Sequence, residues 1–193
     1  MPVPSRERVI ELLADLMPDQ GYDLEDVTVS KAGSRSVVRV MVDSDSGLDL
    51  DDVAELSRQI SERLDAATEF GEAPYTLEVT SPGIDRPLTE PRHWRRAQGR
   101  RVRVEIGDEQ VLARVGALGD GVVDLVVPAK GGPVVREIAL ADVVKAVVQV
   151  EFSPPNAQEM ELAGGLAAGR AAAGEVTEGI ETDDDIEGGG LDK

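Results

Sequence analysis

The run Ser81-Pro82-Gly83-Ile84-Asp85-Arg86-Pro87-Leu88 divides the chain into two parts with different apolar patterns. Before this run, apolar residues follow a mixture of helical and strand periods, and after it they alternate almost entirely at period two. Proline fixes φ, and glycine permits turns that other residues avoid, so the run predicts a stiff joint between two domains. We expect Gly83 to adopt such a turn, and Asp85 and Arg86 to bond different domains.

The part before the run predicts the order helix, strand, strand, helix, strand. Residues 5–17 carry one apolar stripe, two period-two segments follow around Val27 and Val38, and Asp49 begins a second amphipathic helix. Two such helices on one face of a three-stranded sheet give a compact α+β layer. We assign this domain to residues 1–84.

The part after the run predicts a linker, a small barrel and a tail. Residues 85–98 form the linker, with a short helix that begins at Pro91. Residues 99–152 contain five short strands separated by glycine-rich turns, which is typical of an SH3-like or Sm-like β-barrel. Residues 153–193 are rich in alanine, glycine and carboxylates, so we expect a disordered acidic tail, in which any helix around 158–166 does not pack persistently.

Composition excludes several classes of protein. The 193-residue chain contains no cysteine, which excludes disulfides, thiolate metal sites and a cysteine nucleophile. No apolar run approaches the ~20 residues that span a bilayer, and the N-terminal residues do not form a signal peptide. We therefore expect a cytoplasmic protein with no membrane partner, and we expect it to be a monomer.

Catalytic and nucleotide-binding patterns are weak. His93 is the only histidine, and no cysteine or Gly-x-Ser-x-Gly motif accompanies it. The pair Gly131-Gly132 lacks the Lys-Ser/Thr that completes a phosphate-binding loop. We expect no enzyme activity, no cofactor and no small-molecule substrate.

The acidic segment from Asp43 to Asp52 resembles a calcium loop at first sight. Leu48 and Ala54 stand where an EF-hand requires glycine and glutamate. A helix N-cap at Asp49, with Asp52 in the reciprocal role, explains these residues better. We expect no metal site.

A basic band follows the joint in a chain of net charge −18. From Arg86 to Arg103 there are seven arginines and one carboxylate, Glu90. The alternative to a binding site is a solvated basic helix face, but the planar fork of arginine suits phosphate, and the overall charge favours a positioned contact over general RNA affinity. The candidate RNA contacts are Arg86, Arg92, Arg95, Arg96, Arg100, Arg101 and Arg103.

Residues 78–88 resemble the hallmark run of the bacterial ribosome maturation factor family RimP. His93, Arg95, Gly99 and Val102 continue the resemblance, and the start of the second helix is also similar to that of the family. The resemblance spans residues 5–150 and leaves out the acidic tail. Carried over by residue, the interdomain motif is Ser81, Pro82, Gly83, Asp85, Arg86, Pro87 and Leu88.

The resemblance implies a non-catalytic assembly factor with an N-terminal α/β domain and a C-terminal SH3-like barrel. Such a factor binds the immature small (30S) ribosomal subunit and promotes its maturation, with 16S rRNA and the basic ribosomal protein RpsL as partners. The alternative is an Sm-like RNA-binding regulator that is not tied to the ribosome. Such regulators stack bases on aromatic side chains, and Phe152 is the only aromatic residue of region 99–152, which counts against that alternative.

Overall fold

The computed structural model describes residues 5–33, 35–67 and 74–167. These residues form a three-stranded sheet, here called the first sheet, and a separate five-stranded antiparallel sheet, the second sheet. Helices accompany both sheets, so the predicted α+β class is confirmed. None of the helices in the described ranges is long and apolar enough to cross a membrane.

The first sheet contains β1 (Asp23–Ala32), β2 (Arg35–Asp43) and β3 (Tyr75–Thr80), in that order. β1 and β2 form an antiparallel hairpin, whereas β3 runs parallel to β2. A parallel neighbour requires a crossover connection, and helix α3 (Leu50–Ala66) lies within that connection. The predicted helix, strand, strand, helix, strand order is therefore present, with β2 in the centre.

The first predicted helix is interrupted. The sequence predicts one helix over residues 5–17, but the structure has α1 (Arg6–Leu13) and a separate short α2 (Leu16–Asp19). Pro18 has no N–H to donate to the carbonyl group of Ala14, so the α-helical hydrogen-bond ladder cannot continue through this position.

Helix α3 begins at the predicted cap and covers the first sheet. The Asp49 carboxylate accepts from the Asp52 amide at 2.8 Å, and the Asp52 carboxylate accepts from the Asp49 amide at 3.2 Å, which confirms the reciprocal cap. Leu56, Ile60 and Leu64 recur at helical spacing and pack into one core with α1 and the valines of β1 and β2.

The second sheet has the strand order β7-β6-β5-β4-β8, and every pairing in it is antiparallel. Four consecutive strands form a meander, and the last strand returns to pair with the first of the five. No pairing among the described residues joins β7 to β8, so the structure has an open five-stranded sheet where a closed barrel is predicted. The strands are β4 (Arg101–Ile106), β5 (Glu109–Leu118), β6 (Val122–Val127), β7 (Val134–Ala139) and β8 (Val143–Val148).

One face of the second sheet forms its core. Alternate residues of the strands, such as Val102 and Val104, are fully buried there. Helix α4 (Pro91–Arg96) and the residue that follows it add Trp94 and Ala97 to the same core. The linker helix is thus packed onto the second sheet as one unit.

The chain after β8 departs from the predicted tail. Residues 153–193 are expected to be disordered, but Ala157–Ala163 form helix α5, capped by Asn156 and packed on β5 and β6. The predicted disorder is wrong for this helix, because it packs against the sheet face opposite the core. The rest of the predicted tail, residues 168–193, lies outside the described residues.

We predict that Ile60→Ala lowers the free energy of unfolding by about 2–5 kcal/mol, because Ile60 is fully buried and its truncation leaves a cavity. Leu50→Ala is the control, since Leu50 is 87% exposed on the same helix and should change stability by no more than about 0.5 kcal/mol. Urea unfolding followed by circular dichroism measures both. Equal losses in the two variants would contradict the assigned core.

Candidate functional site

Helix α4 presents its basic face to the first sheet. Pro91 occupies the first turn, where its missing N–H is no loss, and the backbone N–H of the N-cap residue Glu90 donates to the His93 side chain. Trp94 fixes the opposite face in the core of the second sheet. The helix therefore holds Arg92, Arg95 and Arg96 in a fixed position toward the neighbouring sheet.

Glu25 is the acceptor at the centre of the contact. The pairing of β1 with β2 shifts between Leu24 and Asp26, so Glu25 is the extra residue of a β-bulge. A bulge redirects a side chain away from the normal alternation of the strand. The carboxylate of Glu25 has no exposed surface and lies against α4.

Four cationic or hydrogen-bonding side chains surround the Glu25 carboxylate. Arg92 Nε donates to Oε1 at 2.9 Å, and Arg96 Nη1 donates to the same oxygen at 3.1 Å. Arg86 Nη1 lies 3.3 Å from Oε2, and its Nη2 donates to the Glu25 carbonyl oxygen at 2.9 Å. A buried carboxylate needs such partners, because an unpaired charge in the interior is very costly.

His93 completes the set around Glu25. The backbone N–H groups of Thr89 and Glu90 point to its Nδ1 at 3.2 and 3.1 Å. Nδ1 therefore acts as an acceptor, which leaves Nε2 with the hydrogen that it donates to Glu25 Oε2 at 2.7 Å. The only histidine of the chain thus serves as a positioned donor between the two sheets.

Arg96 is the most enclosed cation of the group, with 6% of its side chain exposed. Besides Glu25 it contacts Asp23, Asp45 at 2.9 Å and Asp43 at 3.5 Å. Arg95 forms a more exposed bidentate pair with Asp45, at 2.7–3.1 Å.

These contacts make one group, here called the inter-sheet cluster. It joins four carboxylates of the first sheet and its following loop to four guanidinium groups and one imidazole, so the formal charges balance. Its members are Asp23, Glu25, Asp43, Asp45, Arg86, Arg92, His93, Arg95 and Arg96.

The cluster shifts the acidity of its carboxylates. Burial by itself would raise the pKa of Glu25, but hydrogen bonds from Arg92 and His93 and the charge of Arg92 lower it to about 2. Burial likewise opposes ionisation of Asp45, and the hydrogen bonds of Arg96 and Arg95 lower its pKa overall. Both carboxylates are therefore held ionised at neutral pH.

The joint motif touches both sheets through its second half. Arg86 donates a hydrogen bond to Glu25 in the first sheet. At the edge of β8, Pro87 forms an isolated antiparallel β-bridge with Val147, and the Leu88 amide donates to the Ala146 carbonyl at 2.9 Å. A cavity of about 140 Å³ lies between the motif and α4.

The first half of the motif behaves differently from expectation. Ser81, Gly83 and Asp85 are exposed, and Pro82 is half-buried. Gly83 has no positive φ, and a Cβ there would meet no atom within 4 Å, so the predicted need for glycine in this turn is wrong. Within the described ranges Asp85 forms no ion pair, so the joint is bonded through Arg86, without Asp85.

The remaining candidate arginines lie on the second sheet. Arg100 is partly exposed beside the cavity, Arg101 is 3.9 Å from Glu151, and Arg103 is exposed on β4. The seven arginines are therefore divided. Four belong to the inter-sheet cluster, and three lie beyond it.

The acidic segment that resembles a calcium loop is divided in the same way. Asp43 and Asp45 pair with arginines of α4, while Asp49 and Asp52 cap α3. In residues 5–33, 35–67 and 74–167 there is no group of acidic or histidine side chains arranged to hold a metal ion.

Residues 12–85 match the family model of the RimP N-terminal domain. This stretch is therefore a RimP N-terminal domain, which supports membership of the RimP family. RimP proteins are non-catalytic ribosome maturation factors. The match contains all four carboxylates of the inter-sheet cluster and stops just before Arg86, so the acidic half of the contact belongs to the RimP N-terminal domain.

Sequence reasoning did not identify the carboxylates that organise the site. Glu25 lies in a strand that the alternation of Val27 and Val29 predicts, but nothing in the composition marks its side chain as buried. One feature could have revealed it. The apolar residues Leu24 and Val27 are three positions apart, which breaks the period of two and indicates a bulge.

We predict that Glu25→Ala lowers the free energy of unfolding by about 3–5 kcal/mol, because it leaves Arg96 buried without its full set of partners. It should also broaden the distribution of inter-sheet orientations, measured by small-angle X-ray scattering. Glu78→Ala is the matched control. Its pair with Arg39 is about half exposed, with 43% and 54% side-chain exposure, so its loss should be below about 1 kcal/mol. Identical scattering and stability in both variants would refute the role of Glu25.

We further predict that the advantage of Glu25 over glutamine disappears in acid. The pKa of Glu25 is about 2 in the folded chain and 4.5 ordinarily. The contribution of its ionised carboxylate to the free energy of unfolding is therefore complete above about pH 4.5 and is lost as pH falls toward 2. The stability of the wild type and of Glu25→Gln should therefore converge over that range in urea unfolding experiments. A gap that stays constant from pH 7 to pH 3 would contradict the ionised, paired carboxylate.

Proposed function

We propose that this protein is a non-catalytic assembly factor that binds the immature small (30S) ribosomal subunit and promotes its maturation. The observation that carries the proposal is the match of residues 12–85 to the RimP N-terminal domain. We propose the cytoplasm, where ribosomal subunits are assembled, as its location.

The inter-sheet cluster supports a docking role better than a catalytic one. The charged groups of the cluster form ion pairs with one another, and the side chains of its central members, Glu25 and Arg96, are shielded from solvent. Such a cluster fixes the orientation of two binding surfaces relative to each other. A preset orientation lowers the entropy that is lost when both surfaces bind one large particle.

The distribution of the arginines narrows the proposed rRNA contacts. Arg86, Arg92 and Arg96 would reach phosphate only by leaving the buried Glu25 carboxylate, so we propose that their main role is to hold the joint. Arg95, Arg100, Arg101 and Arg103 remain the proposed contacts with 16S rRNA, because they lie at or near the surface.

Further parts of the proposal follow from the family and the charge. We propose two domains, at 1–84 and 99–152, joined by the linker 85–98, and we propose that the second sheet curves into an SH3-like barrel. The return of β8 to pair with β4 supports that curvature. The excess of carboxylates, with a net charge of −18, suits the basic ribosomal protein RpsL as a partner of a monomer.

The experiment is fractionation of cell extract on a sucrose gradient at low and moderate salt. The proposal predicts that the protein travels with precursors of the small subunit and is largely absent from mature ribosomes. A regulator acting apart from the ribosome would stay in the light fractions, and that result would overturn the proposal.

We predict that Arg103→Gln weakens binding to purified immature small subunits and reduces the slope of log affinity against log salt by about 1, since one phosphate contact is lost. Arg39→Gln removes the same charge from the first sheet, where Arg39 pairs with Glu78, and should leave the slope unchanged. Filter binding over a series of salt concentrations measures both. Equal slopes in the two variants would contradict a phosphate contact at Arg103.

A further inference from the structure

The chain that follows β8 crosses the outer face of the second sheet. We call residues 151–167 the C-terminal strap. Its helix α5 packs on β5 and β6, and its end is tied to the residues after α4: Gln98 Nε2 donates to the Ala163 carbonyl at 2.9 Å, and the Ala167 amide donates to the Gln98 carbonyl at 3.2 Å.

The strap covers a pair of arginines that face each other. Arg101 on β4 and Arg114 on β5 are direct cross-strand partners. Like charges in that arrangement repel and destabilise a sheet unless an anion neutralises them. Glu151 of the strap supplies the anion, 2.7 and 2.9 Å from the Arg114 guanidinium and 3.9 Å from Arg101.

Among the described residues, both carboxylates that pair with Arg114 belong to the strap. Glu159 of α5 lies 3.1 Å from Arg114 Nη2, in addition to the two contacts of Glu151. Arg114 donates its remaining bond to the Gly99 carbonyl at 2.8 Å, and only 1% of its surface is exposed. An arginine on the outer face of a sheet is buried here because two carboxylates from one segment cover it.

The same face carries further features that suit RNA. Arg103 lies two residues beyond Arg101 on β4, on the same side of the strand and ~6.6 Å away along it. Phe152 is 91% exposed where the strap leaves the sheet, at a cavity of about 650 Å³ that Arg101 and Arg114 also line. Arginines beside an exposed aromatic ring are the usual combination for single-stranded RNA, with phosphates on the cations and a base on the ring.

We propose that the strap occupies a phosphate-binding face of the second sheet, and that single-stranded RNA displaces α5 to bind Arg101, Arg103 and Arg114 while Phe152 stacks a base. Glu151 and Glu159 stand in for phosphate, since carboxylate and phosphate accept the same arginine fork. The strap is tethered to the sheet, so it competes at a high effective concentration and keeps RNA affinity low until an RNA is held nearby. This deepens the proposed function and rests on it only for the ribosomal origin of the RNA.

The first test removes the carboxylates. Binding of a fluorescein-labelled single-stranded RNA 12-mer is followed by anisotropy for Glu151→Gln/Glu159→Gln. We expect affinity to rise at least about tenfold as the competing segment is lost. The control variant Glu137→Gln/Glu161→Gln carries the same charge change at two exposed positions, and its RNA affinity should rise far less. Adding Arg114→Gln to the first pair should abolish the gain, and equal gains in the two double variants would overturn the proposal.

The second test displaces the strap without altering charge. Gly99 has φ +77°, and a Cβ there would lie 2.5 Å from the Gly165 carbonyl oxygen. Gly121 has nearly the same φ, +76°, but open space around it. Gly99→Ala should therefore increase hydrogen exchange in residues 157–163 and raise RNA affinity, whereas Gly121→Ala should do neither. Faster exchange with unchanged RNA affinity would overturn the proposal.

The third test distinguishes RNA from other polyanions as the ligand of this face, and a separate experiment tests the ribosomal role. In the Glu151→Gln/Glu159→Gln background, Phe152→Ala should weaken binding of the RNA 12-mer several-fold and leave binding of inorganic polyphosphate unchanged, because only RNA offers a base. Equal losses for both ligands would overturn the stacking role. Sedimentation of wild-type protein with immature small subunits tests the proposed function independently of these results.

Discussion

A carboxylate without access to water cannot remain ionised unless cations and donors are fixed around it, and Glu25 imposes this requirement on the whole molecule. Its partners come from the joint motif and from α4, which is itself anchored in the core of the second sheet through Trp94. Any rotation between the sheets would separate Glu25 from Arg92 and Arg96. The orientation of the sheets is therefore set by electrostatics and hydrogen bonding at one buried point, more than by a broad apolar interface.

The same principle explains how a strongly acidic chain accommodates a dense band of arginines. Asp23, Glu25, Asp43 and Asp45 neutralise the arginines of the joint and of α4, and Glu151 with Glu159 neutralises Arg114. Intramolecular carboxylates thus limit how much of the band reaches solvent. Under the proposed RNA-binding role, affinity for RNA would depend on which ion pairs a partner can replace, and the exposed pairs are easier to replace than the buried ones.

Local patterns predicted the elements of this fold well. Alternation in β2, the reciprocal cap of Asp49 with Asp52, and the proline that opens α4 are determined by neighbouring residues, so the sequence reveals them. Glu25 is different, because its importance comes from a bulge and from residues more than sixty positions away. The packing of α5 was also missed. Its sequence is rich in alanine and glutamate and has few large apolar residues. Its position depends on the ion pair of Glu159 with Arg114 and on the hydrogen bond of Gln98 to Ala163, and the periodicity of the sequence predicts neither.

The two ionic centres are connected through the end of α4. Gln98 and Gly99 lie two and three residues after Arg96. Gln98 forms hydrogen bonds with Ala163 and Ala167 of the strap, and the Gly99 carbonyl accepts a hydrogen bond from Arg114. A displaced strap would free Gln98 and remove the close approach of Gly165 to Gly99, which loosens the C-terminal end of the helix that carries Arg96. The contact of α4 with the first sheet and the contact of the strap with the second sheet therefore share one short and continuous piece of backbone, residues 92–99.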